Sequence, residues 1–243
     1  MIRPNLIFKG LINLIYPLYC QTCGLKLELT NTRHLCQACW NKISKNQPPF
    51  CIKCGMSLPG SVEERPQCGG CSKKDYVFTQ AWSVGLYQGI LKECIHLLKY
   101  GKKVFMAAPL GKLMTDFINR YLDFGNIDLI IPVPLHPARL REREFNQSAL
   151  LAEQISKRFN IPLSLNNLVK VRPTRPQTGL SGKERLANIQ LTFKIKNSSS
   201  LSKKNVLLVD DVFTTGSTIN ECSNTLLRSG INNIYVLTLA RVN

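Results

Sequence analysis

Residues 206–218 read VLLVDDVFTTGST, Val206 to Thr218. With Asn205 in front, the run Asn205–Val209 (NVLLV) is apolar on consecutive positions. Such a run predicts a strand covered on both faces, as in a parallel sheet. It delivers Asp210 and Asp211 to the strand's carboxyl end, where parallel sheets gather their ligands. Thr214, Thr215, Gly216, Ser217 and Thr218 follow as a loop of small residues. The loop opens a predicted helix, Ser217–Arg228, which Gly230 ends. Small loop residues let backbone amides and hydroxyls surround a phosphate at the helix N-terminus. Two carboxylates beside that phosphate suit the vicinal hydroxyls of a ribose. The stretch therefore describes a cradle for a ribose 5-phosphate.

Two other strand-loop patterns fail. A receiver domain also begins with a strand ending in acidic residues, but only 32 residues follow Asp211. That is too few for the remaining receiver strands. A nucleotide P-loop requires Gly-Lys-Ser/Thr after the strand, and none is present.

Outward from this stretch, the chain alternates strand and helix. Asp128–Val133 (DLIIPV) is a second continuous apolar strand, Asn146–Arg158 a helix with Leu150, Leu151 and Ile155 on its apolar side, and Ile234–Leu239 a last strand. This order predicts an α/β fold, a parallel sheet with right-handed crossovers and flanking helices. Lys196–Lys204 (KNSSSLSKK) is polar and reads as a solvated loop.

The first 75 residues follow a different logic. Eight of the ten cysteines fall in four CxxC pairs, Cys20/Cys23, Cys36/Cys39, Cys51/Cys54 and Cys68/Cys71. Twelve residues separate the first two pairs and thirteen the last two. A CxxC turn aims two thiolates at one point, and two such turns complete a tetrahedral four-cysteine zinc site. Gly24 and Gly55 follow the second cysteine of their pairs and suit the turn. Disulfides need an oxidising compartment, and a redox CxxC occurs once beside a βαβ unit rather than four times. Two zinc ions in two tandem ribbons, paired by neighbours, are expected; spacing leaves a crossed pairing open. So small a module cannot bury much core, so the metal supplies its folding energy. His34 has no spacing reason to be a ligand, and Cys94 and Cys222 read as buried small side chains. Trp40 and Phe50 are expected to offer stacking faces among Lys26, Arg33, Lys42, Lys45, Lys53, Lys73 and Lys74.

Of 243 residues, 32 are Lys or Arg and 15 Asp or Glu, a net charge of +17, and 44% are hydrophobic. That apolar content excludes a disordered chain. The charge exceeds the magnitude of about 2–8 that keeps a small domain dispersed, and it points to polyanions. It is spread along the chain: residues 1–75 carry 10 basic and 4 acidic side chains, 76–150 carry 9 and 6, and 151–243 carry 13 and 5. No run of about 18 apolar residues is present, so no stable membrane insertion is expected. Met1–Tyr19 resembles a signal peptide only faintly: Lys9 interrupts the run, and Tyr19 stands where a small residue should precede Cys20. An amphipathic helix carrying Leu6, Ile7, Leu11, Ile12 and Ile15, and a cytoplasmic protein, are expected.

The stretch at 206–218 resembles the phosphoribosyl pyrophosphate (PRPP) motif of type I phosphoribosyltransferases, with Phe213 bulkier than the usual aliphatic residue. Ile131–Gln147 (IPVPLHPARLREREFNQ) and Arg172–Arg185 (RPTRPQTGLSGKER) narrow the match. With four CxxC pairs in front, residues 18–243 resemble the ComF family. Glu144 departs from that family's usual glycine, in a turn where φ > 0 is expected.

The resemblance implies a double-ribbon module over 1–75 and a phosphoribosyltransferase-like domain over 76–243. It makes Asp210 and Asp211 the catalytic pair on the ribose hydroxyls, and Thr214, Thr215, Gly216, Ser217 and Thr218 the 5-phosphate loop. Pro132–His136 and Arg139 would meet the pyrophosphate. Arg172, Arg175, Lys183 and Arg185 would lie on a flap, with Mg2+ arriving on PRPP. Displacement at the anomeric carbon would leave charge on pyrophosphate for cations to stabilise. No general base is legible, so the acceptor is unread and enzymatic activity stays open. The family resemblance further implies a role in natural transformation, with single-stranded DNA and a helicase-like competence partner. Arg139, Arg141 and Arg143 read equally as DNA contacts or as solvated surface, and His136 as a loop histidine or an acid.

Overall fold

The computed structural model describes residues 17–28, 34–60, 66–172 and 192–242. Among them a four-stranded sheet forms the centre. Its strands are β1 (Gln80–Leu86), β2 (Leu129–Pro132), β5 (Asn205–Phe213) and β6 (Asn233–Arg241), in the order β1-β6-β5-β2. All three pairings are parallel. A separate antiparallel pair, β3 (Leu168–Lys170) with β4 (Phe193–Ile195), lies beside it.

The apolar runs explain the sheet. Val206, Leu207, Leu208 and Val209 are all fully buried, because β5 has neighbours on both edges and packing on both faces. The strand runs on through the acidic pair to Phe213, four residues beyond the apolar run, because β6 offers ladder partners as far as Arg241.

The helices are α1 (Gln37–Asn41), α2 (Gly89–Lys99), α3 (Ala107–Tyr121), α4 (Pro137–Arg143), α5 (Gln147–Phe159) and α6 (Ser217–Leu227). Leu91, Ile95, Leu110, Met114, Leu151 and Ile155 from α2, α3 and α5 pack over one face of the sheet. Ile219 and Leu226 of α6 pack over the other, with Leu168 and Phe193 of the small hairpin. Helices α3 and α5 touch closely at Gly111, where a Cβ would stand 2.4 Å from that of Gln154.

The cysteine-rich segment divides between these two faces. Leu27, Leu35, Trp40 and Ile43 join the first core, whereas Cys51, Cys54, Cys68 and Cys71 join the second, with Phe78 and Phe213. Each fully buried large side chain contributes about 1.5–3 kcal/mol. The link between them runs along the open edge of β1: Leu86 N–H donates to Ser44 O at 2.9 Å and Asn46 N–H to Val84 O at 2.9 Å. An exposed parallel edge is thereby covered. Gly85 permits it, since a Cβ there would lie 2.7 Å from Ser44 O.

Some expectations need correction. Trp40 is 8% exposed and Phe50 packs on Phe117 and Tyr121, so neither presents a free stacking face. Their apolar area is worth more against α3 than in water. Lys53 does not decorate a solvated surface; its Nζ donates to Phe78 O. His136 is not in an open loop but caps a helix at 137–143, where Pro137 suits the first helical position. The predicted amphipathic N-terminal helix lies outside the described residues. No described helix is long and apolar enough to cross a membrane.

Candidate functional site

The cysteines gather into two groups by neighbour pairing, Cys20/Cys23/Cys36/Cys39 and Cys51/Cys54/Cys68/Cys71, each with its four Sγ atoms within 4.8 Å of one another. The crossed pairing is thereby excluded. Cys23 and Cys36 Sγ stand 3.6 Å apart and Cys54 and Cys68 Sγ 3.7 Å. Zn–S bonds of about 2.3 Å in a tetrahedron require about 3.8 Å between sulfurs, whereas a disulfide closes to about 2.05 Å. The donor set fits zinc. Backbone amides turn toward sulfur at each site, Cys39 N–H to Cys36 Sγ at 3.4 Å and Cys68 N–H to Cys51 Sγ at 3.3 Å. Gly24 and Gly55 take φ of +72° and +66°, as the knuckle turns require. His34 packs at a tilt of 48° on Phe105, 4.3 Å between ring centroids, and is not among the cysteine groups.

The acidic pair lies within β5, two residues before the strand ends. Asp211 is buried and forms an ion pair with Lys99, the last residue of α2. Gln147 Nε2 also donates to its Oδ1, at 3.3 Å. Asp210 keeps partial exposure and accepts from Ser148 Oγ at 2.8 Å and from Asp211 N–H at 2.9 Å. Crowding of protein around its carboxyl, and then the charge of Asp211, raise its pKa to about 7. Asp211 is thus charge-paired with a lysine, and Asp210 titrates near neutrality.

Three consecutive residues build this arrangement. Asn146 Oδ1 caps α5 by accepting from Ser148 N–H at 3.0 Å, and its Nδ2 donates to Val133 O at 3.0 Å, tying the helix to the end of β2. The first turn then presents Gln147 to Asp211 and Ser148 to Asp210. Arg143 extends the network: it donates to Gln147 Oε1 at 3.0 Å and its guanidinium lies 4.9 Å over the Tyr100 ring. Sequence reasoning missed Lys99, Gln147 and Ser148. Gln147 and Ser148 border a capping Asn, a signal that points to a helix start but not to the acids. Lys99 carries no spacing signal at all, being 111 residues from Asp210 in the chain.

Beyond the acids, Thr214 and Thr215 are exposed, Gly216 turns at φ +76°, and Ser217 starts α6. Gly216 at the N-cap has no side chain to offer, and Thr215 Oγ1 accepts from Ser217 N–H at 3.4 Å instead. Thr215 Oγ1 and Ser217 Oγ are 2.8 Å apart, so the hydroxyls face one another across the turn. The Tyr76 hydroxyl donates to Thr215 O at 2.9 Å, and burial pushes its pKa up to about 12, so it keeps its proton.

After β2, His136 Nδ1 accepts from Ala138 N–H at 3.3 Å, which makes it a helix cap. Arg139 is exposed and 3.7 Å from Glu142; Arg141 is exposed as well. Glu144 adopts φ 70° at the end of α4, the left-handed turn expected there, and pairs with Lys102. Lys170 lies close enough to Asp210 to feel its charge, while burial pushes its pKa down. Arg172 is exposed; Arg175, Lys183 and Arg185 lie outside the described residues. Cys94 and Cys222 are fully buried, as expected. His96 is held against Tyr87, whose hydroxyl is 2.9 Å from Nε2.

Comparison with known proteins agrees with both halves. Residues 11–72 match the double zinc ribbon domain, and residues 146–243 the phosphoribosyl transferase domain. Competence protein F of Haemophilus influenzae is 35% identical over 85% of this chain and 90% of its own length. DNA utilization protein YhgH of Shigella flexneri is 30% identical over 94% of this chain and 99% of its own. Competence protein ComFC of Bacillus subtilis is 30% identical over 81% and 79%. Among solved structures, an adenine phosphoribosyltransferase from Thermoanaerobacter pseudethanolicus overlaps 60% of this chain and 83% of its own at 15% identity and a TM-score of 0.36. With a double zinc ribbon in front of a phosphoribosyl transferase domain, and with 30–35% identity to competence and DNA utilization proteins over most of their length, the chain belongs to the ComF (competence protein F) family.

Proposed function

We propose that this protein serves DNA uptake and utilisation in the cytoplasm, binding single-stranded DNA through its basic surface and PRPP at the acidic pair. The observation that supports the PRPP part is the pairing of a partly exposed Asp210 with the exposed Thr214, Thr215, Ser217 and Thr218 at the carboxyl end of one strand. Asp210 accepts hydrogen bonds from the ribose hydroxyls. Asp211, neutralised by Lys99, orients its neighbour and limits the negative charge that an anionic ligand must approach. The hydroxyls of Thr214, Thr215, Ser217 and Thr218 and the α6 N-terminus receive the 5-phosphate. Arg139 receives the pyrophosphate, with Arg172, Arg175, Lys183 and Arg185 as the flap cations. Mg2+ would arrive with PRPP and would supply positive charge against its phosphate oxygens.

Calorimetric titration with PRPP and Mg2+ tests the site. The parent is expected to bind, and Asp210→Ala to lose most of the affinity; no binding by a folded, zinc-loaded parent sinks the reading. The DNA part rests on the +17 charge and the names of the relatives. Affinity for an oligothymidylate should fall with salt by about 0.7 log units per log unit for each phosphate contact. A flat salt response counts against DNA as the partner of this surface. Recruitment of a helicase-like competence protein through the ribbons is a further part of this reading, testable by pull-down with and without residues 1–75.

A second reading, transfer of ribose 5-phosphate to an acceptor, is favoured by Asp210 itself, since a carboxyl poised near neutrality suits a general base. The bond from the anomeric carbon to pyrophosphate would break and one to the acceptor form, with the acceptor's proton passing to Asp210. Pyrophosphate release on adding candidate acceptors decides between binding and transfer.

A further inference from the structure

The second ribbon is joined to the turn before α6. After Cys71 the chain runs as a strap, Asp75–Phe78, directly onto the turn that precedes α6. The Tyr76 hydroxyl donates to Thr215 O at 2.9 Å. Val77 N–H donates to Asn220 Oδ1 at 2.8 Å, within the first turns of α6. The Tyr76 ring stacks on Phe78 at 4.9 Å and meets Phe213 edge-on at 6.1 Å. Gly216 is enclosed by these rings: a Cβ there would lie 2.7 Å from Phe213 Cζ and 2.8 Å from Tyr76 Cε1.

The other end of the connection reaches the cysteines. Arg241, the last residue of β6, is buried and donates from one guanidinium nitrogen to Cys54 O at 2.9 Å and Cys54 Sγ at 3.6 Å. Its guanidinium lies 5.6 Å over the ring of Phe213. Phe213 thus has the metal knuckle's arginine on one side and the strap's tyrosine on another, and it is the residue that leads into Thr214. The first ribbon makes no such connection among the described residues; its cysteines belong to the core on the opposite face of the sheet.

We propose that Tyr76 is a positioning residue through which the second zinc site sets the shape of the turn Thr214–Thr218, so that zinc at Cys51/Cys54/Cys68/Cys71 and an anionic sugar phosphate at the turn favour one another. The proposal rests on the PRPP reading for its ligand but not for its geometry. Coupling of this kind is reciprocal: whatever factor zinc contributes to ligand affinity, the ligand returns to zinc retention.

The test uses the full-length, zinc-loaded protein and Tyr76→Phe, which keeps the ring and removes only the hydroxyl. The variant should retain both zincs and the parent's melting temperature to within a few degrees. PRPP with Mg2+ should bind it about three- to tenfold more weakly, the range expected for one lost hydrogen bond. Saturating PRPP should slow zinc loss to a chelator in the parent, by a factor that shrinks in Tyr76→Phe. Equal PRPP affinity in both proteins overturns the proposal, as does chelation that PRPP leaves unchanged in the parent. If the parent binds no PRPP, the proposed ligand fails and the positioning role is decided by amide hydrogen exchange at residues 214–218. Faster exchange in Tyr76→Phe than in the parent upholds it, and equal exchange overturns it. Tyr76→Ala, which also removes the ring from Gly216, should exceed Tyr76→Phe in every one of these effects; an equal or smaller effect counts against it.

Discussion

The two ribbons use the same cysteine chemistry and have different surroundings. The first carries Cys23 on its exposed side and sends Leu35, Trp40 and Ile43 into the core beneath α2 and α3. The second has all four cysteines buried, an arginine on one thiol, and a strap on the threonine-rich turn. Equal metal chemistry therefore serves unequal purposes. One ribbon covers one side of the core, and the other adjoins the end of the sheet that carries the acidic pair.

The largest effect that can break this comparison comes from the metal sites themselves. A structural zinc contributes on the order of 10 kcal/mol to the folding of its module. Cys54→Ser should abolish one zinc, as read by metal analysis, and lower PRPP affinity by about a hundredfold or more, since the turn loses its anchored strap. Cys23→Ser, at the exposed corner of the first site, should weaken zinc retention yet leave PRPP affinity within a few-fold. Equal losses of PRPP binding would erase the distinction.

Next in size is Lys99, which belongs to the face of the first ribbon but holds Asp211. With side-chain exposures of 15% and 6%, the pair is largely removed from water. Lys99→Met leaves a buried carboxylate without its partner and should cost about 3–5 kcal/mol in urea unfolding. A cost below about 1 kcal/mol, the range of an exposed pair, would mean that Asp211 does not depend on this lysine.

The knuckle glycines sharpen the contrast at smaller scale. Gly24 and Gly55 share a left-handed turn, but a Cβ on Gly24 meets nothing within 4 Å, whereas one on Gly55 would lie 2.3 Å from Ala81 O and 2.7 Å from Trp82 Cα. Gly24→Ala should cost about 1 kcal/mol from backbone strain alone. Gly55→Ala adds a clash with β1 and should cost about 3 kcal/mol or more. Matching melting temperatures would show that the second knuckle is less tightly seated on the sheet.

The smallest effect concerns Asp210. Its folded-state carboxyl is held above the ordinary 3.8, at about 7, by burial and then by Asp211. Ionisation therefore opposes folding: the associated stability is fully present below about pH 4 and is lost as pH rises through 7. Asp210→Asn should be more stable than the parent at about pH 8 by about 1 kcal/mol, the full shift being discounted for the carboxyl's solvent exposure. The gap should narrow at about pH 5.5, where the parent's carboxyl is protonated in the folded state. A gap that widens toward acid would reverse the sign and refute the raised value.

Much of this was legible in one dimension. The run at 205–209, the acidic pair and the small-residue turn foretold a strand, its carboxyl end and a helix start, because burial on two faces and helix N-terminal geometry each demand particular residue types. CxxC spacing foretold two four-cysteine sites for the same reason, and the resemblance to type I phosphoribosyltransferases supplied a ligand to propose. Even the left-handed turn at Glu144 followed from a family glycine. The expected stacking faces at Trp40 and Phe50 did not follow, because an aromatic among lysines looks alike whether it faces solvent or a helix that arrives tens of residues later.

What remained hidden is the set of partners that the fold brings together from afar. Nothing near Asp211 in the chain announces Lys99 or Gln147, and nothing near Thr215 announces Tyr76. Local pattern reports periodicity, turn chemistry and ligand spacing, which are properties of neighbouring residues. Neighbour pairing of the cysteines over crossed pairing, the division of the ribbons between the two faces of the sheet, and the neutralisation of one carboxylate beside another that titrates near 7 depend on packing across tens of residues. Those contacts are selected only when the whole core closes, and that is why tertiary structure alone decided them.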